Sequence, residues 1–186
     1  MKAEENPWKT LGTSLVYDNP WISLREDKVI KPNGKEGIYG VVHFKYLAIG
    51  IIPLDENNNT WLIGQHRYPL DTYSWEIPMG GGKIGEPPLE SAKRELKEET
   101  GLIASEWEEL LRIHTSNSVT DELGIVYVAK GLLQKETEFD DTERLQIWKM
   151  PFSEALSMAV RGEITDSLSL AGIFKVALMM KNKMLL

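Results

Sequence analysis

The chain has 186 residues, 42% of them hydrophobic and 26% charged, with 21 Lys+Arg against 28 Asp+Glu, a net charge of −7 and no cysteine. That length suits one domain, or one domain with a modest extension, and the apolar fraction supports a real core. The charge balance argues against a nucleic acid polymer as partner, and the missing cysteine excludes disulfides, thiolate-held metals and thiol nucleophiles. The acids are either a solvated surface or a device for holding metal, and their positions must decide.

Met1 to Pro7 lack the apolar stretch of a signal peptide, so a cytoplasmic location is expected. From Trp21 to Ile30 apolar and polar residues partly alternate, predicting a strand, and Lys31-Pro32-Asn33-Gly34 supplies turn chemistry. Tyr39 to Phe44 reads as a second strand. Leu47 to Leu54, almost wholly apolar and β-branched, reads as a strand buried on both faces. After a polar turn at Asp55 to Asn59, Thr60 to Gln65 is expected to be its hairpin partner.

Met79 to Gly85 is a glycine-rich loop. Beyond it Pro87-Pro88 opens a helix with Leu89, Ala92 and Leu96 at helical spacing, which Gly101 closes. Ile125 to Ala129 and Leu145 to Lys149 are predicted strands. Ser153 to Val160 is a predicted helix ending at Gly162, and a third helix starts near Asp166. Its apolar run, Leu168 to Met180, contains Ser169 and Lys175 and falls short of the ~20 residues that span a bilayer, so no membrane association is expected. Strands first, then helices between further strands, predict an α+β or α/β/α layered fold.

The acids are not spread evenly. Eight glutamates lie between Glu86 and Glu109, against Lys93, Arg94 and Lys97. On the predicted helix Glu95 and Glu99 are four apart and share a face, with Glu98 at its edge. An i,i+4 pair between Arg94 and Glu98 relieves part of the repulsion. Read alone, this is a solvated acidic helix. Next to a glycine-rich loop that lets backbone approach a ligand, it is also a set of oxygen ligands for a hard divalent cation, which typically shares its coordination with substrate phosphates.

Gly80, Glu86 and the run Arg94-Glu95-Leu96-Lys97-Glu98-Glu99-Thr100-Gly101-Leu102 resemble the Nudix box at every specified position. The resemblance implies a Nudix α/β/α sandwich of the α+β class, with a mixed sheet. It further implies metal-dependent hydrolysis of a nucleoside diphosphate linked to another group. It assigns Glu95 and Glu99 as Mg²⁺ ligands (with Mn²⁺ as a substitute), and Glu98 as a further ligand or a contributor to water activation. By the same resemblance, Arg94 and Glu86 are expected to orient the ligating glutamates. Bound Mg²⁺ would reverse the repulsion between an acidic protein and a polyanionic pyrophosphate and acidify a coordinated water.

Gln65 to Tyr68 and Trp75 to Gly80 are similar to segments of ADP-ribose and nucleotide-sugar pyrophosphatases. On that similarity Arg67 contacts a phosphate through its planar fork, Glu76 contacts the ribose or sugar, and the Met79 carbonyl ligates a metal. Thr115 to Glu122 resembles a subfamily loop ending in an acidic residue, here Glu122. The chain departs from that subfamily in having no proline between Leu102 and Met150, which leaves GDP-mannose and other nucleotide sugars open beside ADP-ribose. From the acidic stretch Gly131 to Ile147 the resemblance recruits a catalytic base, with Glu143 first and Asp141 and Asp140 after it. His43, His66 and His114 form no metal-binding pattern.

The resemblance also divides the chain into an N-terminal β-rich extension, residues 1–40, and a hydrolase domain, residues 41–186. The extension would pack across a homodimer and lend a residue to the partner's base pocket, with Tyr46, Phe44 and Trp21 as stacking candidates. Two competing functions stay open. One is a Nudix hydrolase of nucleoside triphosphates or dinucleotide polyphosphates; the other is a non-catalytic Nudix domain that senses a nucleotide.

Overall fold

The computed structural model describes residues 5–135 and 145–184, which divide into two units: residues up to Tyr46 with Ser116–Glu122, and Leu47–Thr115 with Leu123 onward. The first unit is an antiparallel meander of β1 (Lys9–Asp18), β2 (Ile22–Ile30) and β3 (Glu36–Phe44). Both expected strands are present in it, and β1 is an addition. β1 is exposed along its whole length despite Leu11, Leu15, Val16 and Tyr17. Without flanking alternation to a buried face, its sequence carries no clear period-2 signal.

The segment Ser116–Glu122 is held against β3. Val42 N–H donates to Val119 O at 2.9 Å, Asp121 N–H donates back to Val42 O at 3.3 Å, and the Tyr39 hydroxyl donates to Ser118 O. Asp121 closes the arrangement, 2.6 Å from His43 Nδ1 and accepting from Phe44 N–H at 3.1 Å. Burial raises the Asp121 carboxyl, but the His43 and Phe44 hydrogen bonds outweigh it and hold the group below its ordinary range.

Among the described residues the second unit contains two sheets and three α-helices. β4 (Tyr46–Pro53), β7 (Met79–Lys83), β8 (Leu102–His114) and β9 (Leu123–Gln134) form a mixed sheet in the order β7-β4-β9-β8. β5 (Asn59–Arg67), β6 (Thr72–Glu76) and β10 (Gln146–Pro151) form an antiparallel sheet in the order β10-β5-β6. The helices are α1 (Pro88–Thr100), α2 (Phe152–Arg161) and α3 (Ser167–Lys181), close to their predicted spans.

Two expectations need correction. β5 is not the hairpin partner of β4: the Asp55–Asn59 turn carries the chain into the other sheet, where β5 pairs with β6 and β10. β4 instead lies parallel to β9, with Ile49 opposite Ile125 and Ile51 opposite Tyr127. A turn signal fixes a reversal of direction but not the strand's neighbour. The glycine-rich segment is not a loop either, since Met79–Lys83 is strand β7, held beside β4 where local propensity alone opposes it.

β4 is buried on both faces, as the apolar run Leu47 to Leu54 predicts, and the first half of β9 is buried with it. Ile49, Ile51, Ile125 and Tyr127 pack with Ala92 and Leu96 of α1. Ile52, Val126 and Val128 face Leu168, Ile173 and Val176 of α3. The mixed sheet is thus sandwiched between helices, and each fully buried aliphatic side chain contributes about 1.5–3 kcal/mol.

Candidate active site

The box owes its geometry to its two end glycines. Gly101 caps α1 in the left-handed region, φ 69°, with its N–H donating to Lys97 O at 2.8 Å, a conformation that favours glycine. Gly80, in β7, lies directly against the Glu95 carboxylate: a Cβ there would meet all three carboxylate atoms far inside the 3.0 Å that real side chains keep. The missing side chain is the cradle in which Glu95 sits.

Around this cradle the predicted residues converge. Glu95 and Glu99 are buried in the structure although both are acids. Glu99 Oε2 accepts from Met79 N–H at 2.9 Å. Arg94 Nη2 lies 2.7 Å from Glu95 Oε1 and donates to Gly81 O at 2.9 Å, while Nη1 donates to Glu98 Oε2 at 2.8 Å. Burial lowers the Arg94 guanidinium pKa, and the Glu95 and Glu98 charges more than restore it. One cation therefore ties two box glutamates to β7. Glu86 lies in the exposed turn before α1, 3.7 Å from Lys83 Nζ.

Arg67 and Glu76 form a second, adjoining pair across β5 and β6. Arg67 Nε donates to both carboxylate oxygens at 3.0 and 3.1 Å, and Nη2 donates to Oε2 as well. Glu76 is buried at 3% exposure, whereas Arg67 is partly open. These hydrogen bonds raise the Arg67 pKa and keep the guanidinium charged. The pair lines a cavity of about 200 Å³ together with Ser74, Pro69, Leu70, Thr165 and Asp166. A cavity of about 270 Å³ lined by Glu106, Trp107, Glu108, Val128 and Lys130 contains none of the predicted site residues.

The sequence places Asp166 only near the start of the third helix. It caps α3, accepting from Ser169 N–H at 2.7 Å, and it also lines the Arg67–Glu76 cavity. Ser169 was missed altogether: its buried hydroxyl donates to Asp166 Oδ2 at 2.8 Å and accepts from Ile77 N–H at 3.0 Å. The sequence signal is a serine within the apolar run Leu168 to Met180. Tyr46 and Glu122 belong to the N-terminal unit, with Tyr46 partly exposed. Glu143, Asp141 and Asp140 lie outside the described residues.

The site thus sets the α1 carboxylates against the backbone of β7, beside an arginine fork and a cavity. Among the described residues no three acidic or histidine side chains are assembled into a ready metal cage. The donor set is nonetheless all oxygen, as a hard divalent cation prefers.

Comparison with known proteins places this arrangement. Residues 45–168 match the NUDIX domain, and residues 8–42 match the nucleoside diphosphate sugar hydrolase N-terminal domain. The chain belongs to the Nudix family, and the enzyme is a Nudix hydrolase of phosphoric anhydrides. It is 34% identical over 177 residues to an ADP-ribose pyrophosphatase of Mycobacterium tuberculosis (strain ATCC 25618 / H37Rv), covering 92% of this chain and 84% of that one. It is 34% identical over 161 residues to a methanol dehydrogenase activator of Bacillus methanolicus, covering 86% of each. A crystal structure of an ADP compounds hydrolase superposes with a TM-score of 0.86 over 98% of both chains at 20% identity, which speaks for the fold alone.

Proposed function

We propose that the protein hydrolyses the diphosphate bond of nucleoside diphosphate sugars, ADP-ribose and/or GDP-mannose, in a Mg²⁺-dependent reaction that releases a nucleoside monophosphate and a sugar phosphate. The observation that carries this reading is the burial of Glu95 and Glu99 against β7, with Arg94 bridging Glu95 and Glu98. Burying several carboxylates is costly unless they are paired or hold a cation.

Glu95, Glu98, Glu99 and the Met79 carbonyl would hold the metal, and Mn²⁺ would replace Mg²⁺. A metal held there would supply positive charge beside the diphosphate and lower the pKa of a coordinated water. Arg94 keeps Glu95 and Glu98 on the β7 side. Arg67, fixed by Glu76, presents its remaining N–H donors to a phosphate oxygen, and the carboxylate of Glu76 accepts a sugar hydroxyl. The base is assigned to Glu143.

The N-terminal extension, residues 1–40, serves dimerisation, and residues 41–186 carry the catalysis. Leu11, Leu15, Val16, Tyr17, Trp21 and Ile38 are each more than half exposed, an apolar surface that a second copy of the chain would cover. Tyr46 and Glu122 are assigned to substrate binding on the resemblance to the same subfamily.

The test is a panel of ADP-ribose, GDP-mannose, UDP-glucose and NADH with Mg²⁺ or Mn²⁺, read by release of monophosphate, with a chelator as control. The chelator should abolish turnover, and Glu95→Gln and Glu99→Gln should lower kcat by about 10²-fold or more with the melting temperature retained. Release of inorganic pyrophosphate from nucleoside triphosphates, with no turnover of the diphosphate panel, would refute the substrate class. Light scattering at two concentrations reads the dimer.

A further inference from the structure

The two sheets of the second unit are joined between Glu76, the last residue of β6, and Met79, the first of β7, by Ile77 and Pro78 alone. This short crossing separates the two halves of the site. On one side Glu76 receives the Arg67 fork. On the other, Met79 N–H donates to Glu99. Any drift of the crossing therefore changes the distance between the substrate-facing pair and the metal-facing carboxylates.

Three anchors hold the crossing. The Ile77 side chain lies over Gly50, where a Cβ would come within 2.8 Å of Ile77 Cδ1. Pro78 O accepts from Ile51 N–H at 2.8 Å. Both anchors come from β4. The third comes from α3, 92 residues along the chain, where Ser169 Oγ accepts from Ile77 N–H at 3.0 Å. A hydroxyl has one donor and two lone pairs. Because the Ser169 hydrogen is directed to Asp166 Oδ2 at 2.8 Å, a lone pair is left for Ile77. Asp166 is itself held as the cap of α3, so the orientation of the hydroxyl follows from the start of the helix.

We infer that Ser169, oriented by Asp166, is a positioning residue for the hydrolysis: it fixes the Ile77–Pro78 crossing and thereby the separation of the Arg67–Glu76 pair from Met79 and Glu99. The roles of those four residues rest on the function proposed above. Ser169 acts through the Ile77 N–H. It is fully buried, and a residue needed only to fill that space would serve as well without its hydroxyl.

Two measurements on the full chain test this. Hydrogen exchange of the backbone around residues 76–80 requires no substrate. Ser169→Ala should accelerate it at least about tenfold, because a buried N–H loses its partner. Ser169→Thr, which keeps the hydroxyl, and Asp166→Asn, whose amide oxygen can still accept, should leave it near wild type. Unchanged exchange in Ser169→Ala overturns the tether, whatever the enzyme's substrate.

Steady-state kinetics on the best substrate, below the melting onset of every variant, then read the consequence. Ser169→Ala should lower kcat by about tenfold or more, since small misplacements of reacting groups are costly, with KM changed less than about threefold. Ser169→Thr should recover most of the loss. A lowered melting temperature with wild-type kcat would make Ser169 merely structural and overturn the inference. A wild-type enzyme inactive on all diphosphate substrates would instead refute the function proposed above, while the exchange result stands by itself.

Discussion

Gly80→Ala tests the cradle at its narrowest point. The new methyl would overlap all three carboxylate atoms of Glu95, so either the carboxylate or β7 must give way by about 1 Å to restore ordinary van der Waals distance. Glu95 has little room to yield: it is 9% exposed and engaged with Arg94 at 2.7 Å. β7 is tied back by Met79 N–H to Glu99. Overpacking of this kind costs about 1–3 kcal/mol in stability, a lowering of roughly 2–12 °C in melting temperature for a chain of this size. The larger effect falls on chemistry, because a 1 Å misplacement costs about 10²-fold in rate. Turnover measured against Mg²⁺ or Mn²⁺ concentration should show kcat reduced about 100-fold and more metal needed for half-activation. A variant with kcat within about threefold of wild type at unchanged metal dependence would refute the claim that Gly80 is kept bare for Glu95.

Arg67→Lys should raise KM for the diphosphate substrate by about tenfold, because an ammonium cannot both grip Glu76 in a fork and reach a phosphate; steady-state kinetics decide. Thr60→Val should raise the melting temperature by about 2–4 °C, because the Thr60 hydroxyl is buried with no hydrogen-bond partner among the described residues and removing it is worth about 1 kcal/mol. Burial raises the Asp55 carboxyl, but hydrogen bonds from Asn59, Lys149 and the Asn57 amide outweigh it and bring the pKa from 3.8 to about 2. A depressed carboxyl stabilises the fold above its unfolded pKa and loses that contribution as pH falls through the folded one. Urea midpoints should therefore drop between about pH 4 and 2 by less in Asp55→Asn than in wild type. Glu143→Gln should lower kcat by more than about tenfold; a smaller loss moves the base to Asp141 or to the box.

The glutamates were legible before any coordinates because their meaning is local. Spacing of three and four residues along one helix places Glu95, Glu98 and Glu99 together wherever that helix packs, and the box pattern names them. The i,i+4 pair of Arg94 with Glu98 is as expected. The predicted helices were marked by their own punctuation: proline at the start of α1, Asp166 capping α3, and Gly101 and Gly162 at two ends. What failed was pairing. β5 follows the turn after β4 yet pairs with β6 and β10, and β8, for which the sequence carries no prediction, is a strand alongside β9.

The sequence by itself determined the gathering of Glu95, Glu98 and Glu99 along one helix, the helix limits and the double-faced burial of β4, because each follows from residue type at fixed short spacing. Only the tertiary structure decided that β5 leaves β4 for another sheet, that Gly80 is the seat of the Glu95 carboxylate, and that Ser169 holds the crossing 92 residues before it. Those contacts join segments far apart in the chain, and long-range contacts are selected by the burial of whole faces rather than by any pattern within one segment.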